Sequence, residues 1–313
     1  MNTKEKFMQK LPVVFAGALV CSLLWGSAFP CIKIGYRMMH IAGDDSASQI
    51  LYAGLRFTLA GLLVILIGSI GKRTVLLPKG KAWGKVLVLS MFQTVGQYVF
   101  FYIGLAHTSG VKSSIIIGTN AFVAILVASL IFRQEQLTLR KIAGCLIGFA
   151  GVALVTLGGA GLDLHMSFAG EGCVFLSTIA YAVSSACFKI FAKTEDSFLL
   201  SGYQFFIGGI IMSITGIAMH GTVQGFTVAS TALLVYMALI SAVAYTLWGI
   251  LLKYNPISRV AVFGFMNPVI GVILSALLLG EGEQAAGVKS ILALVLVSIG
   301  IWIVNGTKNK VNK

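Results

Sequence analysis

The residues of this chain that could do chemistry are amides, aromatics and a few charges set inside long apolar runs. Gln93 and Gln97 lie one helical turn apart, and Tyr98 and Tyr102 repeat that spacing on the next face. Residues three or four apart share one side of a helix. By the same spacing Ser177, Tyr181 and Ser184 or Ser185 line up, and so do Ser241, Tyr245 and Trp248. Asn120 and Asn267 each interrupt an apolar run, while Ser22, Trp25 and Gly26 punctuate the first one. These side chains hydrogen-bond and stack; none is a nucleophile paired with a base. Amides are expensive to expose to lipid, so the stripes face either a cavity or a neighbouring helix. A serine can instead bond its own helix backbone, and Trp and Tyr also populate membrane interfaces. An aromatic, amide-lined site without fixed negative charge suits a neutral or zwitterionic solute such as an amino acid.

The charges raise a second question. Cys31-Ile-Lys-Ile-Gly-Tyr-Arg37 recurs 156 positions later as Cys187-Phe-Lys-Ile-Phe-Ala-Lys193, with Trp25 and Tyr181 each eight residues before the lysine. A lysine in an apolar run is costly, and Lys33 and Lys189 are expected to snorkel to opposite interfaces, marking equivalent mouths of one pathway. Arg56, near the start of a run, could meet a substrate carboxylate or bond backbone carbonyls at a neighbouring helix end. Glu135 and Glu281 close matched runs, where gating or loop-pinning is expected. The ten acids all lie in tails, loops or span ends, so no mid-membrane carboxylate is on offer for a proton or sodium relay.

Those residues must be positioned by membrane helices. Hydrophobic residues make up 58% of the 313 and charged residues 11%, with a mean hydropathy of +0.94. A soluble domain carries about a quarter charged residues. Spanning the hydrocarbon takes about 20 apolar residues as helix. That rule yields ten candidate spans: 11–36, 49–71, 83–106, 111–132, 139–158, 168–191, 197–219, 229–252, 257–280 and 287–305. The runs do not alternate, which excludes a barrel, so the fold class is all-α integral membrane. Of the 23 Lys and Arg, eighteen fall on one side of this threading, four (Lys33, Arg37, Lys112, Lys289) on the other, and Arg56 within a span. The positive-inside rule then puts both termini in the cytoplasm of a multi-pass cell-membrane protein. The same rule accounts for the net charge of +13 without a nucleic-acid partner.

Each half carries five spans, 11–158 and 168–305, so the second must be inverted relative to the first. The echo continues beyond the lysines. Leu51-Tyr-Ala-Gly-Leu-Arg-Phe57 matches Leu199-Leu-Ser-Gly-Tyr-Gln-Phe205, and Gly118, Val123, Ser129 and Glu135 match Gly264, Val269, Ser275 and Glu281 at a shift of 146. Inverted repeats characterise secondary transporters, whose substrate site lies between the halves. The spaced glycines Gly144, Gly148 and Gly151 allow close helix approach, within the chain or between two copies.

At Phe265-Met-Asn-Pro-Val-Ile-Gly through Gly280-Glu281 the text resembles the EamA-type transporters of the drug/metabolite transporter superfamily. Trp25-Gly26-Ser27, Arg56 and Glu135-Gln-Leu-Thr138 leading to Gly144 and Gly151 support the likeness, which covers 11–305. It implies two inverted five-helix repeats, alternating access, and export or exchange of small metabolites. It further implies a central cavity lined by the first, third and fourth helices of each repeat. The candidates there are Trp25, Gln93, Gln97, Tyr98, Tyr102, Asn120, Tyr181, Ser184, Tyr245, Trp248 and Asn267. Phe122 stands where the second half has Pro268, so the two fourth helices need not bend alike.

The alternatives are a channel, for which no selectivity-filter motif appears, and a membrane enzyme. The chain has no H-E-x-x-H and no Walker phosphate loop, and the five cysteines lack metal or disulfide spacing. No cofactor or metal is expected. The partners are a small-molecule solute and the lipid bilayer, with monomer and homodimer both open.

Overall fold

The computed structural model describes residues 3–108, 110–156, 167–279 and 288–306, and the regular structure among them is helical, without strands. A short α1 (Thr3–Met8) leads into α2 (Leu11–Met38) and α3 (Ser46–Lys72). The next apolar run is α4 (Ala82–Leu89), a π-helical segment Ser90–Gly96, and α5 (Gln97–Ala106). Then come α6 (Gly110–Gly118), α7 (Asn120–Leu126) with a π segment Val127–Ile131, and α8 (Leu139–Thr156). A π turn Phe168–Gly172 opens α9 (Cys173–Phe191), followed by α10 (Ser197–Ala218) and α11 (Val228–Tyr254). Finally α12 (Ile257–Ala261), a 3-10 turn Val262–Phe265, α13 (Met266–Leu279) and α14 (Val288–Asn305) complete the described chain.

Local chemistry sets the starts. Asp45 caps α3 by accepting from the Ser48 amide at 2.9 Å, and Asp196 caps α10 through Phe198 and Leu199. Thr227 and Ser230 form a reciprocal capping box on α11. These side chains take up helix-end N–H groups that would otherwise lack partners. Among the described residues, six helical segments are long and apolar enough to cross a membrane: 11–38, 46–72, 82–106, 168–191, 197–218 and 228–254. Shorter apolar helices cover 120–131, 257–271 and 291–305.

Where a continuous span was expected at 111–132 and at 257–280, the helix is interrupted. Thr119 separates α6 from α7, its hydroxyl turned back onto the Ile116 carbonyl at 2.6 Å. The 3-10 turn separates α12 from α13, with Pro268 in the first turn of α13, where its missing N–H removes no helical bond. At the shift of 146 the restart at Asn120 falls on the restart at Met266. The two runs therefore break at matched places by different geometries.

Tight packing follows from glycine. The most extensive helix pairs are α3 with α10 and α8 with α14, while α2 lies against α11 and α13, and α9 against α5 and α7. Between helices in lipid, van der Waals contact replaces the hydrophobic drive, so small residues decide how near backbones come. A Cβ on Gly61 would sit 2.7 Å from the Gly202 carbonyl oxygen, and one on Gly209 would meet the Thr58 backbone and lie 2.6 Å from its Oγ1. In the second pair a Cβ on Gly300 would sit 2.6 Å from the Gly144 oxygen. Gly148 faces Phe265 and Gly151 faces Ala293, so the spaced glycines are occupied within the chain itself. All five cysteines are buried and free.

Adding a methyl group at the α3–α10 seam must therefore push backbone against backbone. Gly61→Ala and Gly209→Ala are each expected to lower stability in detergent by about 1–3 kcal/mol, the usual scale of overpacking. Gly84→Ala, where an added Cβ meets nothing within 4 Å, should leave the unfolding temperature unchanged. Thermal unfolding of the three purified variants decides; equal midpoints would contradict the packing described.

Candidate solute site

Aromatic side chains from both halves meet where α2, α3, α5, α10 and α11 converge. Trp25 stands edge-on to Tyr245 at 5.1 Å and to Trp248 at 5.0 Å between ring centroids. The Tyr245 and Tyr98 hydroxyls share a hydrogen bond of 2.5 Å. Tyr98 packs on Phe57 at 4.4 Å, and Phe57 stacks on Phe205 at 5.3 Å with ring planes 5° apart. Phe205 closes the circuit by meeting Tyr245 edge-on at 5.0 Å. Tyr102 is buried beside Tyr98 at 6.2 Å. Tyr181, on α9, lies within electrostatic reach of Tyr98 and Tyr245. Edge-to-face and offset contacts of this kind hold rings more rigidly than aliphatic packing does.

Sequence spacing pointed to most of this cluster but missed Phe57 and Phe205. Their signal was present: they are the last matched pair of the segments 51–57 and 199–205. Residues equivalent in the two halves stack directly on one another.

Several polar atoms at and around this level are buried without a hydrogen-bond partner: Trp25 Nε1, Gln93 Oε1, Gln97 Oε1, Asn120 Oδ1, Asn267 Oδ1, and both amide atoms of Gln204. Buried polar atoms are nearly always paired, and each exception needs an explanation. Gln93 sits in the π segment and Gln97 at the start of α5. The wide turn there offsets the simple four-residue register, and π turns concentrate at functional sites. Asn120 and Asn267 occupy the restarted ends of α7 and α13, and no hydrogen bond joins either to the aromatic cluster. The serines are accounted for locally: Ser184 donates to the Tyr181 carbonyl at 2.8 Å, Ser177 to Val174, and Ser241 to Met237.

Charged residues gather at the two ends of the bundle. At one end Glu135 accepts from the Ser258 amide at 2.9 Å and from the Ser258 hydroxyl at 2.5 Å. Its other partner is Lys141, at 3.0 Å, with side chains 3% and 7% exposed for Lys141 and Glu135. Lys141 also donates to the Gln136 carbonyl. Glu135 thus ties the loop between the π segment Val127–Ile131 and α8 to the start of α12. Lys189 departs from the expectation that it snorkels. It is half-buried and donates to the Asn255 carbonyl. That carbonyl is at the C-cap of α11, where helix-end oxygens lack helical partners and accept from side chains instead. Nearby, Asn255 donates to Met8, Gln134 to Ala186 and Arg259 to Gln9. Lys33 is exposed. At the opposite end Glu171 accepts from Thr108 at 2.6 Å and pairs with Lys112 at 3.2 Å. Glu281 lies outside the described residues.

Comparison with known proteins places this arrangement. The profile of the EamA-like transporter family matches the chain twice, over residues 13–157 and 168–306. A Bacillus subtilis (strain 168) protein described as uncharacterized transporter YvbV is 26% identical over 312 residues, 98% of this chain and 96% of its own. A probable amino-acid metabolite efflux pump of Escherichia coli (strain K12) is 28% identical over 302 residues, covering 91% and 92%. One crystal structure superposes with a TM-score of 0.75 over 93% of this chain and 95% of that one, at 16% identity, a likeness of fold alone.

The Glu135–Lys141 pair makes a direct prediction. Removing one member of a buried ion pair strands the other and costs about 3–5 kcal/mol, whereas replacing both by apolar groups is often neutral. Glu135→Ala should therefore be strongly destabilised in detergent, and Glu135→Ala/Lys141→Met should recover most of the loss. Additive losses in the double variant would show that the two side chains do not act as a pair.

Proposed function

The chain belongs to the EamA-like transporter family, and from that premise we propose that this multi-pass cell-membrane protein exports or exchanges an amino acid-like solute by alternating access. The observation that carries the reading is the aromatic circuit built from both halves, with unpartnered polar atoms of Trp25, Gln93 and Gln97 near it. A surface of rings and uncommitted amides can bind an apolar side chain and a polar head group. The E. coli relative's description as a probable amino-acid metabolite efflux pump supports the same class.

In this reading residues 11–158 and 168–305 are two inverted five-helix repeats and both termini face the cytoplasm. Support comes from the ties at the two ends. Lys72 pairs with Asp196, Lys85 with Glu195, and Glu135 with Ser258. All of these residues are assigned by loop cations to the inner face. Thr108, Lys112 and Glu171 gather as outer-face residues. The matched interruptions at Thr119 and Val262–Phe265 add to this, since broken helices commonly border transporter sites. The bonds from Glu135, Lys189 and Gln134 then form the inner closure, which must part for the solute to reach the cytoplasm. Trp25, Tyr98, Tyr102, Tyr181, Tyr245 and Trp248 form the walls of the site, with Asn120 and Asn267 at the hinges of the broken helices.

Counterflow in proteoliposomes tests the proposal. Wild-type protein loaded with unlabelled amino acids should take up at least one labelled amino acid well above empty vesicles. Trp25→Ala and Tyr245→Ala, if folded, should slow that uptake at least about tenfold by removing ring contacts of about 1 kcal/mol or more each. Absence of any amino-acid flux in the wild type would sink the reading.

A further inference from the structure

Among the described residues two cations are fully buried, Lys141 and Arg56, and Arg56 is the one without an oxygen acceptor. Lys141 has the Glu135 carboxylate and a carbonyl, Lys189 a carbonyl, Lys85 the Glu195 carboxylate and the Thr194 hydroxyl, and Lys112 the Glu171 carboxylate. Arg56 has none. It is 4% exposed, its Nε is buried without a partner, and the guanidinium forms no hydrogen bond or ion pair with the described residues.

Its position makes this costly. Arg56 lies about 15 Å along α3 from Ser46 and about 24 Å from Lys72, at 1.5 Å per residue, more than two helical turns from either end of an apolar helix long enough to span a membrane. An arginine there is among the most expensive residues a membrane protein can keep, and such residues mark substrate pathways. What surrounds it is aromatic. The guanidinium carbon lies 4.4 Å from the centroid of the Phe57 ring and 5.8 Å from that of Tyr98. Tyr36, Tyr52, Tyr102 and Tyr245 lie within electrostatic reach. Ring faces attract the cation, but they do not satisfy its five N–H donors, which lie in the guanidinium plane.

We propose that Arg56 is the anchor for the carboxylate of the transported solute. A carboxylate matches the planar fork in bidentate geometry. A single negative charge also balances the single buried positive one, whereas a neutral solute would leave Arg56 uncompensated. The rest of the solute then rests against Tyr98, Phe205 and Tyr245. Rings and hydroxyls surround it there, and no acid among the described residues pairs with Arg56 or is among its electrostatic neighbours. The proposal rests on the transport reading and narrows it, from neutral or zwitterionic solutes to those bearing a free carboxylate. It also departs from the structural role first open to Arg56, since no neighbouring carbonyl takes its hydrogen bonds.

The test uses the purified full-length protein in detergent, with the proteinogenic L-amino acids and their α-carboxamides as probes. At least one free amino acid should raise the unfolding temperature, and its carboxamide should fail to do so at tenfold higher concentration. Arg56→Gln should weaken that stabilisation at least tenfold, and Arg56→Lys should retain part of it. The proposal is overturned if no free acid stabilises the protein or if carboxamides match their acids. It is equally overturned if folded Arg56→Gln binds the acid within threefold of wild type. Should Arg56→Gln not fold, the wild-type comparison of acid with carboxamide still decides. Counterflow on the same preparation separates the two readings. Flux that ignores the carboxylate leaves transport standing and removes Arg56, whereas carboxylate-dependent stabilisation without flux does the reverse.

Discussion

The close approach of α3 and α10 is the contact on which the centre of this molecule depends. Gly54, Gly61, Gly202 and Gly209 strip the seam of side chains, so backbone lies against backbone. Only at that separation can Phe57 and Phe205 stack face to face from the two helices. That stack fixes Tyr98 on one side and Tyr245 on the other, and through Tyr245 it fixes Trp25. In lipid such a seam cannot be drawn together by hydrophobicity, because tails solvate apolar side chains as well as other helices do. Shape does the selecting, and glycine supplies the shape.

Charge pairing differs between the ends of the bundle and its middle. At its ends, carboxylates, lysines and carbonyls are closely matched, as around Glu135, Lys141 and Ser258 or around Glu171 and Lys112. Toward the middle, Gln204, Arg56 and several amides are left without partners. Single amide oxygens are unpartnered at the ends as well, at Gln49, Gln134, Asn255 and Asn305, but the buried Lys141 there is paired whereas the buried Arg56 is not. The matched interruptions of the helices before Asn120 and Met266 lie on elements that also carry unpartnered amides. Broken helices and uncommitted acceptors thus occur together.

Much of this was legible in the sequence, and the limits have physical causes. Hydropathy located the six long helices within a few residues, because lipid imposes a length on each one. Side-chain spacing found Trp25, Tyr98, Tyr102, Tyr245 and Trp248, since ring-bearing stripes on apolar helices have few places to go. The π turn at Ser90–Gly96 was not legible, because a single extra residue in a helix leaves no compositional mark. Nor was the pairing of Glu135 with Ser258, 123 residues away, or the diversion of Lys189 to the Asn255 carbonyl. Both depend on how helix ends meet, which periodicity does not encode. Phe57 and Phe205 were visible as a repeat and invisible as a contact. Knowing that two segments are equivalent does not say that they touch; that requires the glycines to be read as a shared seam.

The repeat also explains why Arg56, the buried cation without an oxygen partner among the described residues, matters. Matched segments give the two halves the same glycines and the same stacking phenylalanine, yet Arg56 falls opposite Gln204 in the alignment of the repeats. Had both positions been arginine, two like charges would flank one stack in a low-dielectric interior, and the repulsion would be large. Had both been glutamine, nothing would orient a charged solute along the pathway. A single cation breaks the symmetry at the level where the scaffold is otherwise most symmetric. In the proposed alternating-access reading the two halves exchange related conformations, and the asymmetric charge would move with one half only. The solute's charged group would then stay with α3 whichever side is open, so that a single buried arginine on a near-symmetric scaffold would give the cargo a defined polarity.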